Sequence, residues 1–354
     1  MLAVSSPGRA ARAPGTGPLV LGIDAGASGV RAVLADTAGT VLGTGRAGGA
    51  NPAALAHGIV TDHLCAAVDA ALAAAPGGAG PARVGAAVLG VAGVSQAMAG
   101  DGARALQRAW QRCRLRCPVR VLPDPVIAFS AGTAARRGAV LAAGTGAIAA
   151  VIDDDEIISR VDGHGWLLGD DGSGFWLGRQ AARAVLAELD GRGEPTMLRY
   201  SVLAALTGSD HREETPARQR DLLRERAYAA PPVALAGLAP LVPAAAEAGD
   251  LAAWRIVDRA VELLVNATDT LLAAEPGASA EVLVVAGSVL TSGGPIGRQV
   301  RQRITERYGL VPRVAGRAPG AAAWLAARQL GTELDPAAHE RLTSPELADV
   351  TPRS

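Results

Sequence analysis

The chain contains no lysine, so arginine supplies all 34 basic residues among its 354. Nucleotide-binding P-loops place a lysine on the β- and γ-phosphates, and protein kinases use a strand lysine in a similar role. Enzymes that form Schiff bases need a lysine amine. The absence of lysine therefore excludes these three mechanisms.

Cysteines and long apolar runs are also scarce. Three cysteines, Cys65, Cys113 and Cys117, are too few for a disulfide framework or a four-cysteine zinc site, and we expect free thiols. No apolar run reaches the roughly 18 residues of a membrane span. Residues 1–18 lack the apolar stretch of a signal peptide. We therefore expect a cytoplasmic protein without a membrane partner, with a disordered tail at 1–18 and a further tail at 332–354.

The charges are balanced, with 34 acidic residues against 34 basic ones. A net charge of zero gives no electrostatic reason to expect nucleic acid as a partner. Hydrophobic residues make up 49% of the chain, which is ample for the core of one large domain or two medium ones.

Apolar runs and Gly-rich turns follow the same plan twice along the chain. The first round predicts strands at residues 19–23, 30–35, 41–46, 83–91 and 119–122 and helices at 53–75, 101–113 and 128–134. The second predicts strands at 138–143, 147–152, 157–161 and 281–286, a helix-rich stretch at 178–274 and helices at 295–308 and 318–330. This repetition predicts a duplicated α/β fold with a ligand between two lobes. The N-terminal lobe is expected at 19–135 with a closing helix at 318–331, and the C-terminal lobe at 136–317.

Two of the Gly-rich turns have the composition of phosphate-binding loops. The first, GIDAGASG at residues 22–29, exposes backbone N–H groups at Gly26 and Ala27 and adds the hydroxyl of Ser28. Asp24, at the end of the strand, could hold Mg²⁺ through water. The second turn, Gly144-Thr145-Gly146, lies in the same setting between two strands. Each turn alone could be an ordinary hairpin, but the pair predicts a polyphosphate held by both lobes.

Asp124 is a candidate general base. It follows a predicted strand and precedes a short helix, so it lies at the carboxyl end of a sheet, where open α/β folds bind ligands. A carboxylate there could accept the proton of a substrate hydroxyl. Taken alone, the same position suits an aspartate that caps the helix.

The segment GHGWLLGDDGSGFWLG at residues 163–178 is the most specific in the chain. It combines six glycines, two tryptophans and an acidic pair, which suits recognition of a small polyol. The candidate contacts in it are Gly163, His164, Asp170 and Ser173. Further along, a strand ends in Gly287-Ser288, which suits close passage of a flat ring or a ribose.

With these segments in this order, the chain resembles the N-acetylglucosamine kinases of the BadF/BadG/BcrA/BcrD-type branch of the actin, Hsp70 and hexokinase superfamily. GIDAGAS corresponds to the first phosphate loop, AAGTGA to the second, VVAGSV to the adenosine segment, and residues 163–178 to the signature GWGxxxGDEGSxxWxG. The resemblance covers about 19–330. It implies a two-lobed, ribonuclease-H-like (actin/hexokinase-type) duplicated fold with a central ligand cleft.

The resemblance also implies residue roles. Asp124 corresponds to the catalytic base, Asn51 and Asp170 to sugar contacts, and Thr145 and Gly146 to positions that border both phosphate and sugar. ATP and Mg²⁺ are the implied cofactors, and a homodimer is the implied assembly.

Three positions depart from the family pattern. His164 replaces a tryptophan, Asp171 a glutamate and Ala147 a hydroxyl residue. The first change could alter the choice of sugar. The implied reaction is ATP-dependent phosphorylation of an amino sugar, with N-acetylglucosamine to its 6-phosphate as the first candidate. Glucosamine or another hexose as substrate, or an ATP-switched regulator without sugar chemistry, remain alternatives.

Two sister groups are disfavoured by the cysteine count. The repressor/sugar-kinase branch carries a cysteine-rich zinc motif that three scattered cysteines cannot supply. Activases of the superfamily hold an iron–sulfur cluster on cysteines, and those cysteines are missing from the expected position.

Overall fold

The structure, a computed structural model, describes residues 17–26, 29–49, 56–91, 93–94, 98, 100–275, 282–331 and 334–344. The chain divides into two compact units, with the divisions between Pro123 and Asp124 and between Gly316 and Arg317. The first unit contains the N-terminal part and the C-terminal residues, and the second contains everything between. Each unit has its own sheet.

The strands of the first sheet are β1 Leu19–Ala25, β2 Val30–Asp36, β3 Val41–Ala47, β4 Val84–Val91 and β5 Val119–Pro123. Those of the second are β6 Arg137–Ala143, β7 Ala147–Asp153, β8 Glu156–Asp162, β9 Leu283–Ala286 and β10 Arg313–Val314. The first sheet has the order β3-β2-β1-β4-β5 and the second the order β8-β7-β6-β9-β10. In both, the first three strands are antiparallel and the other two run parallel to the first. The predicted duplication is thus visible as the same order and direction of strands.

The α-helices of the described residues are α1 His57–Ala73, α2 Asp101–Arg112, α3 Asp124–Gly132, α4 Gly174–Leu189, α5 Leu198–Thr207, α6 Pro216–Ala229, α7 Leu241–Glu247, α8 Leu251–Ala274, α9 Ser288–Thr291, α10 Pro295–Tyr308, α11 Ala318–Gln329 and α12 Pro336–Thr343. Short 3₁₀ turns cover Pro81–Arg83 and Pro232–Leu238. Within these residues no single helix is long and apolar enough to cross a membrane. The stretches Pro232–Glu247 and Leu251–Ala274 reach that threshold only together, across a 115° bend.

Glycines let helices pack directly on strand backbones in the first unit. A Cβ on Gly22 in β1 would lie 2.1 Å from the carbonyl oxygen of Pro319 in α11. On β3, a Cβ on Gly43 or Gly45 would similarly strike the backbone of α1. Because such contacts leave no room for a side chain, the high glycine content is part of the packing and not only of the turns.

The boundary between the units differs from the prediction. We expected the second lobe to begin at residue 136, but it begins with α3. This helix packs on the second sheet: a Cβ on Gly132 would lie 2.5 Å from Val284 in β9, and the ring of Phe129 lies against Gly138 in β6. The packing contacts of this apolar helix decide the unit to which it belongs, and the sequence does not reveal them.

We predicted a tail at 332–354, but part of this segment, α12, is a helix packed within the first unit. Ala338 and Leu342 are each 1% exposed, and a Cβ on Gly320 in α11 would lie 1.8 Å from the carbonyl oxygen of Leu342. The imidazole of His339 lies edge-on against Trp324, with ring centroids 5.3 Å apart. The tail predicted at 1–18 lies outside the described residues except for its last two.

The cysteines are free thiols as predicted, and all three are buried in the first unit. Burial raises the pKa of the Cys117 thiol above its ordinary value.

Candidate active site

The first Gly-rich turn joins β1 to β2. Its closing hydrogen bond runs from the backbone N–H of Gly26 to the carbonyl oxygen of Gly29, at 3.0 Å. Ala27 and Ser28, two of the predicted phosphate contacts, lie outside the described residues, so their roles stay predictions.

Asp24 forms an ion pair beside this turn. It faces Arg31 directly across β1 and β2, and the guanidinium Nη2 lies 3.1 Å from the carboxylate Oδ2. Burial raises the pKa of the Asp24 carboxyl, and Arg31 opposes that rise. The Asp24 side chain keeps 14% of its surface exposed.

Mg²⁺ is compatible with this donor set. Within the described parts of the chain, no three acidic, histidine or cysteine side chains come together as a metal cluster. Mg²⁺ commonly keeps several waters and is held by one or two carboxylates and substrate phosphates. A single, mostly buried carboxylate at Asp24 therefore fits a hydrated ion better than one held by protein ligands alone.

The second Gly-rich turn joins β6 to β7 and is fastened to α4. The N–H of Gly144 donates to the carbonyl of Gly146 at 2.9 Å, which closes the turn. The carbonyl of Gly144 accepts the N–H of Gly174 at 2.7 Å, and that of Thr145 accepts the N–H of Phe175 at 3.1 Å. The backbone of this turn is therefore held by bonds from both the hairpin and the first turn of a helix.

Gly287 lies against the same turn. It follows β9, which runs parallel to β6, so both strands end at the same edge of the sheet. Gly287 has φ of 84°, and a Cβ there would lie 2.3 Å from the carbonyl oxygen of Ala143. Ser288 begins α9 and is exposed. The structure thus brings the predicted adenosine segment next to the predicted second phosphate loop.

Asp170 packs its carboxylate on the same hairpin turn. Its Oδ1 accepts the backbone N–H of Ala147 at 3.3 Å, and a Cβ on Gly146 would lie 2.8 Å from its Oδ2. Burial raises the pKa of the Asp170 carboxyl, and the negative charges of Asp162 and Asp171 raise it further. The predicted sugar residue and the predicted phosphate loop are therefore in direct contact.

Asp162, which the sequence analysis did not single out, holds the loop that carries Asp170. Its Oδ1 accepts the N–H of Asp170 at 2.8 Å, and its Oδ2 accepts that of Asp171 at 2.9 Å. A longer bond of 3.4 Å reaches the N–H of His164. The available signal was the Asp162-Gly163 pair at the end of a strand, since aspartate in turns accepts nearby backbone N–H groups.

The other predicted sugar contacts differ in exposure. Gly163 has φ of 74°, and its Cα lies close to Ile148. The side chain of His164 is exposed. Ser173 is 0% exposed, and its hydroxyl oxygen accepts the N–H of Trp176 at 3.2 Å. Ser173 therefore caps α4, which is an ordinary role for serine at this position, and its sugar contact stays a prediction.

Asp124 is the first residue of α3 and directly follows β5, as the sequence predicted. Its side chain is exposed. Asn51 lies outside the described residues. Their roles as base and sugar contact stay predictions.

Two like mixed sheets, each with a Gly-rich turn after its first strand, define an α/β protein with a fold of the actin/hexokinase type. Residues 21–327 match the BadF/BadG/BcrA/BcrD ATPase family. The chain therefore belongs to this family, which confirms the resemblance at that level.

Solved structures agree on the fold. A proposed N-acetylglucosamine kinase from Chromobacterium violaceum aligns with a TM-score of 0.66 at 22% identity, over 88% of this chain and 99% of that one. A ROK family glucokinase from Streptomyces griseus aligns with a TM-score of 0.54 at 18% identity, over 88% and 99%. At these identities the similarity establishes the fold alone.

A curated relative is similar over part of the chain. The N-acetylmuramic acid/N-acetylglucosamine kinase of Clostridium acetobutylicum is 29% identical over 173 residues, which is 49% of this chain and 54% of the relative. The aligned part thus spans about half the length of that relative.

Proposed function

We propose that the protein transfers the γ-phosphoryl group of ATP to the 6-hydroxyl of an amino sugar, with N-acetylglucosamine as the first candidate. The observation that carries this proposal is the contact of the Asp170 carboxylate with Gly146 and Ala147. A carboxylate that can accept hydrogen bonds from sugar hydroxyls then lies against a backbone turn that suits phosphate. Transfer of a phosphoryl group from a nucleotide to a sugar requires the two binding sites to be this close. The names of the relatives support the same class of substrate.

Asp170 would bind the sugar as an acceptor. An ionised carboxylate accepts hydrogen bonds on both oxygens, and bonds to a charged acceptor are stronger than neutral ones. Because Oδ1 already accepts the N–H of Ala147, Oδ2 is the oxygen we assign to a sugar hydroxyl.

The nucleotide would be bound by backbone groups. In the second turn, N–H groups at Thr145 and Gly146 suit phosphate oxygens, and the hydroxyl of Thr145 adds a donor. The bare Cα of Gly287 lets the predicted adenosine segment pack directly on the backbone of Ala143, so that adenosine bound beside Ser288 would lie next to the phosphate turn. No lysine is needed, which agrees with its absence from the sequence.

Asp24 and Asp124 would complete the machinery. Asp24 would orient the water shell of Mg²⁺, and the bound ion would offset the negative charge of the phosphates. Asp124 would accept the proton of the 6-hydroxyl as the phosphoryl group transfers.

The test is ATP turnover measured by coupled ADP release with N-acetylglucosamine, glucosamine, N-acetylmannosamine, glucose and N-acetylmuramic acid. The proposal expects stimulation above the rate without sugar, strongest with an amino sugar, and mass spectrometry should find a sugar 6-phosphate. Stimulation by glucose alone would move the assignment to a hexose kinase. Turnover that no sugar changes would contradict sugar kinase activity and favour an ATP-switched regulator.

A further inference from the structure

We propose that Asp162 is a positioning residue for sugar binding, which holds the sugar-contacting loop in place through its carboxylate. This inference rests on the proposed function, because it assigns Asp170 to the sugar. Asp162 ends β8, and the loop from His164 to Asp171 follows it. It acts through backbone groups and not by touching substrate.

The contacts of Asp162 come from both ends of the loop. At the near end, its Oδ1 accepts the N–H of His164 at 3.4 Å. At the far end, the N–H groups of Asp170 and Asp171 donate to Oδ1 and Oδ2 at 2.8 and 2.9 Å. One side chain therefore joins residues eight and nine positions away to the strand that precedes the loop.

The fit around this carboxylate is close. A Cβ on Gly169 would lie 2.1 Å from Asp162 Oδ1, so only glycine lets the loop pass there. The loop itself exposes Trp166, Leu167 and Leu168 at 42, 72 and 80% of their surfaces. Leu167 and Leu168 lie mostly outside the core, while Trp166 packs edge to face on Phe175 with ring centroids 5.7 Å apart. Apolar packing therefore holds the middle of the loop, and the Asp162 bonds hold its two ends.

The backbone conformation at the site also depends on these bonds. Asp162 and Asp170 have φ of 66° and 58°, in the left-handed region that non-glycine residues seldom adopt. Such a conformation persists when surrounding contacts enforce it. The bond from the N–H of Asp170 to Asp162 aims the Asp170 carboxylate at Gly146 and Ala147, where we place the sugar.

A carboxylate is required because both oxygens accept. In an Asp162→Asn variant one of them becomes an NH₂ group, which faces an N–H donor and cannot accept its bond. The side chain keeps its size, so the variant tests the acceptor and not the packing. Asp171→Asn is the matched control: it removes one negative charge from the same loop but no acceptor of a loop amide described above.

The test combines hydrogen exchange with kinetics on the full chain. In Asp162→Asn we expect the amides of residues 164, 170 and 171 to exchange about tenfold faster, while the helices keep their protection. The KM for the sugar should rise about tenfold, while the KM for ATP should stay within about twofold of wild type. A displaced binding group lowers the affinity only for the ligand that it contacts. Asp171→Asn should leave the exchange of these amides unchanged.

Two outcomes would overturn the inference. Unchanged exchange in Asp162→Asn would show that the carboxylate does not hold the loop. Faster exchange with an unchanged KM for the sugar would show that the loop position does not matter for binding. Wild-type protein without sugar-stimulated turnover would instead contradict the proposed function, and the exchange result would still decide whether Asp162 holds the loop.

Discussion

The β1–β2 and β6–β7 hairpins have the same place in their sheets but carry their charges at opposite ends. In the first, Asp24 and Arg31 face each other next to the turn. In the second, the corresponding cross-strand pair is Arg137 and Asp153, at the open end away from the turn. Both pairs have an N–O distance of 3.1 Å.

Under the proposed function, this difference means that the two turns would contact phosphate in different ways. A turn with an acidic side chain beside it suits a hydrated cation, while a turn built from backbone bonds suits phosphate and sugar oxygens directly. The second turn gains its rigidity from α4 and its one carboxylate, Asp170, from a distant loop. Duplication of a sheet thus preserves strand order without preserving the chemistry of its turns.

The largest expected effect lies in neither turn. Asp124→Asn should lower kcat for the sugar by about 10²- to 10⁴-fold, because the amide cannot accept the proton of the hydroxyl. Binding of ATP, measured by calorimetry, should stay within about twofold. Asp221→Asn, on the exposed surface of α6, is the control for a lost carboxylate. If Asp124→Asn keeps wild-type turnover, another group accepts the proton, and the carboxylates beside the two turns, Asp24 and Asp170, become the candidates for the base.

The second effect distinguishes the glycines of the two turns. In Gly146→Ala the new methyl group would lie 2.8 Å from the Asp170 carboxylate, which must move. The KM for the sugar should rise by about tenfold to a hundredfold. Gly26→Ala in the first turn meets its nearest neighbour at 3.5 Å, and Gly144→Ala meets nothing within 4 Å, so we expect both to fold with unchanged melting temperatures. Equal sugar KM values in all three variants would remove the distinction between the turns.

Much of the fold could be predicted because its signals are local. Apolar runs ending in Gly-rich turns predicted the three antiparallel strands that open each sheet, and the parallel strands followed from buried runs such as β4 and β9. The helix α12 was missed because its eight residues show little beyond its Asp335 cap, and its burial depends on the bare Cα of Gly320. Contacts between distant segments are absent from any local pattern.

The candidate site was predictable as residue types and not as contacts. Asp170 and Gly146 were each identified, but their contact joins the β6–β7 turn to the loop after β8 and required the structure. Asp162 was missed because its role lies in accepting bonds from a loop that comes later in the chain. Ser173 shows the opposite case, in which a residue of a specific motif proves to cap a helix.

The third prediction concerns pH. Burial and neighbouring carboxylates raise the pKa of Asp170, so on lowering the pH it is protonated sooner than an ordinary aspartate. Since the proposed sugar contact needs the ionised carboxylate, kcat/KM for the sugar should fall with acidification at a higher pH than an ordinary aspartate would set. Asp171→Asn removes one of the charges and should move this acid limb to lower pH. A limb unaffected by Asp171→Asn would mean that another group sets it.

The smallest expected effect compares the two cross-strand ion pairs directly. Arg31→Ala and Arg137→Ala each remove a cation that is about half exposed, at 55 and 49%. Each should lower the free energy of unfolding in urea by about 1 kcal/mol or less. Arg31→Ala should lower the free energy of unfolding more than Arg137→Ala does. Asp24 is 14% exposed and Asp153 is 35% exposed, so water screens the charge of Asp24 less once its partner is removed. Without Arg31 the pKa of Asp24 should rise further, and the cation that competes with Mg²⁺ for this carboxylate is lost, so the Mg²⁺ concentration for half-maximal turnover should change only in that variant. Equal Mg²⁺ dependence in both variants would mean that the charge beside the first turn does not serve the metal.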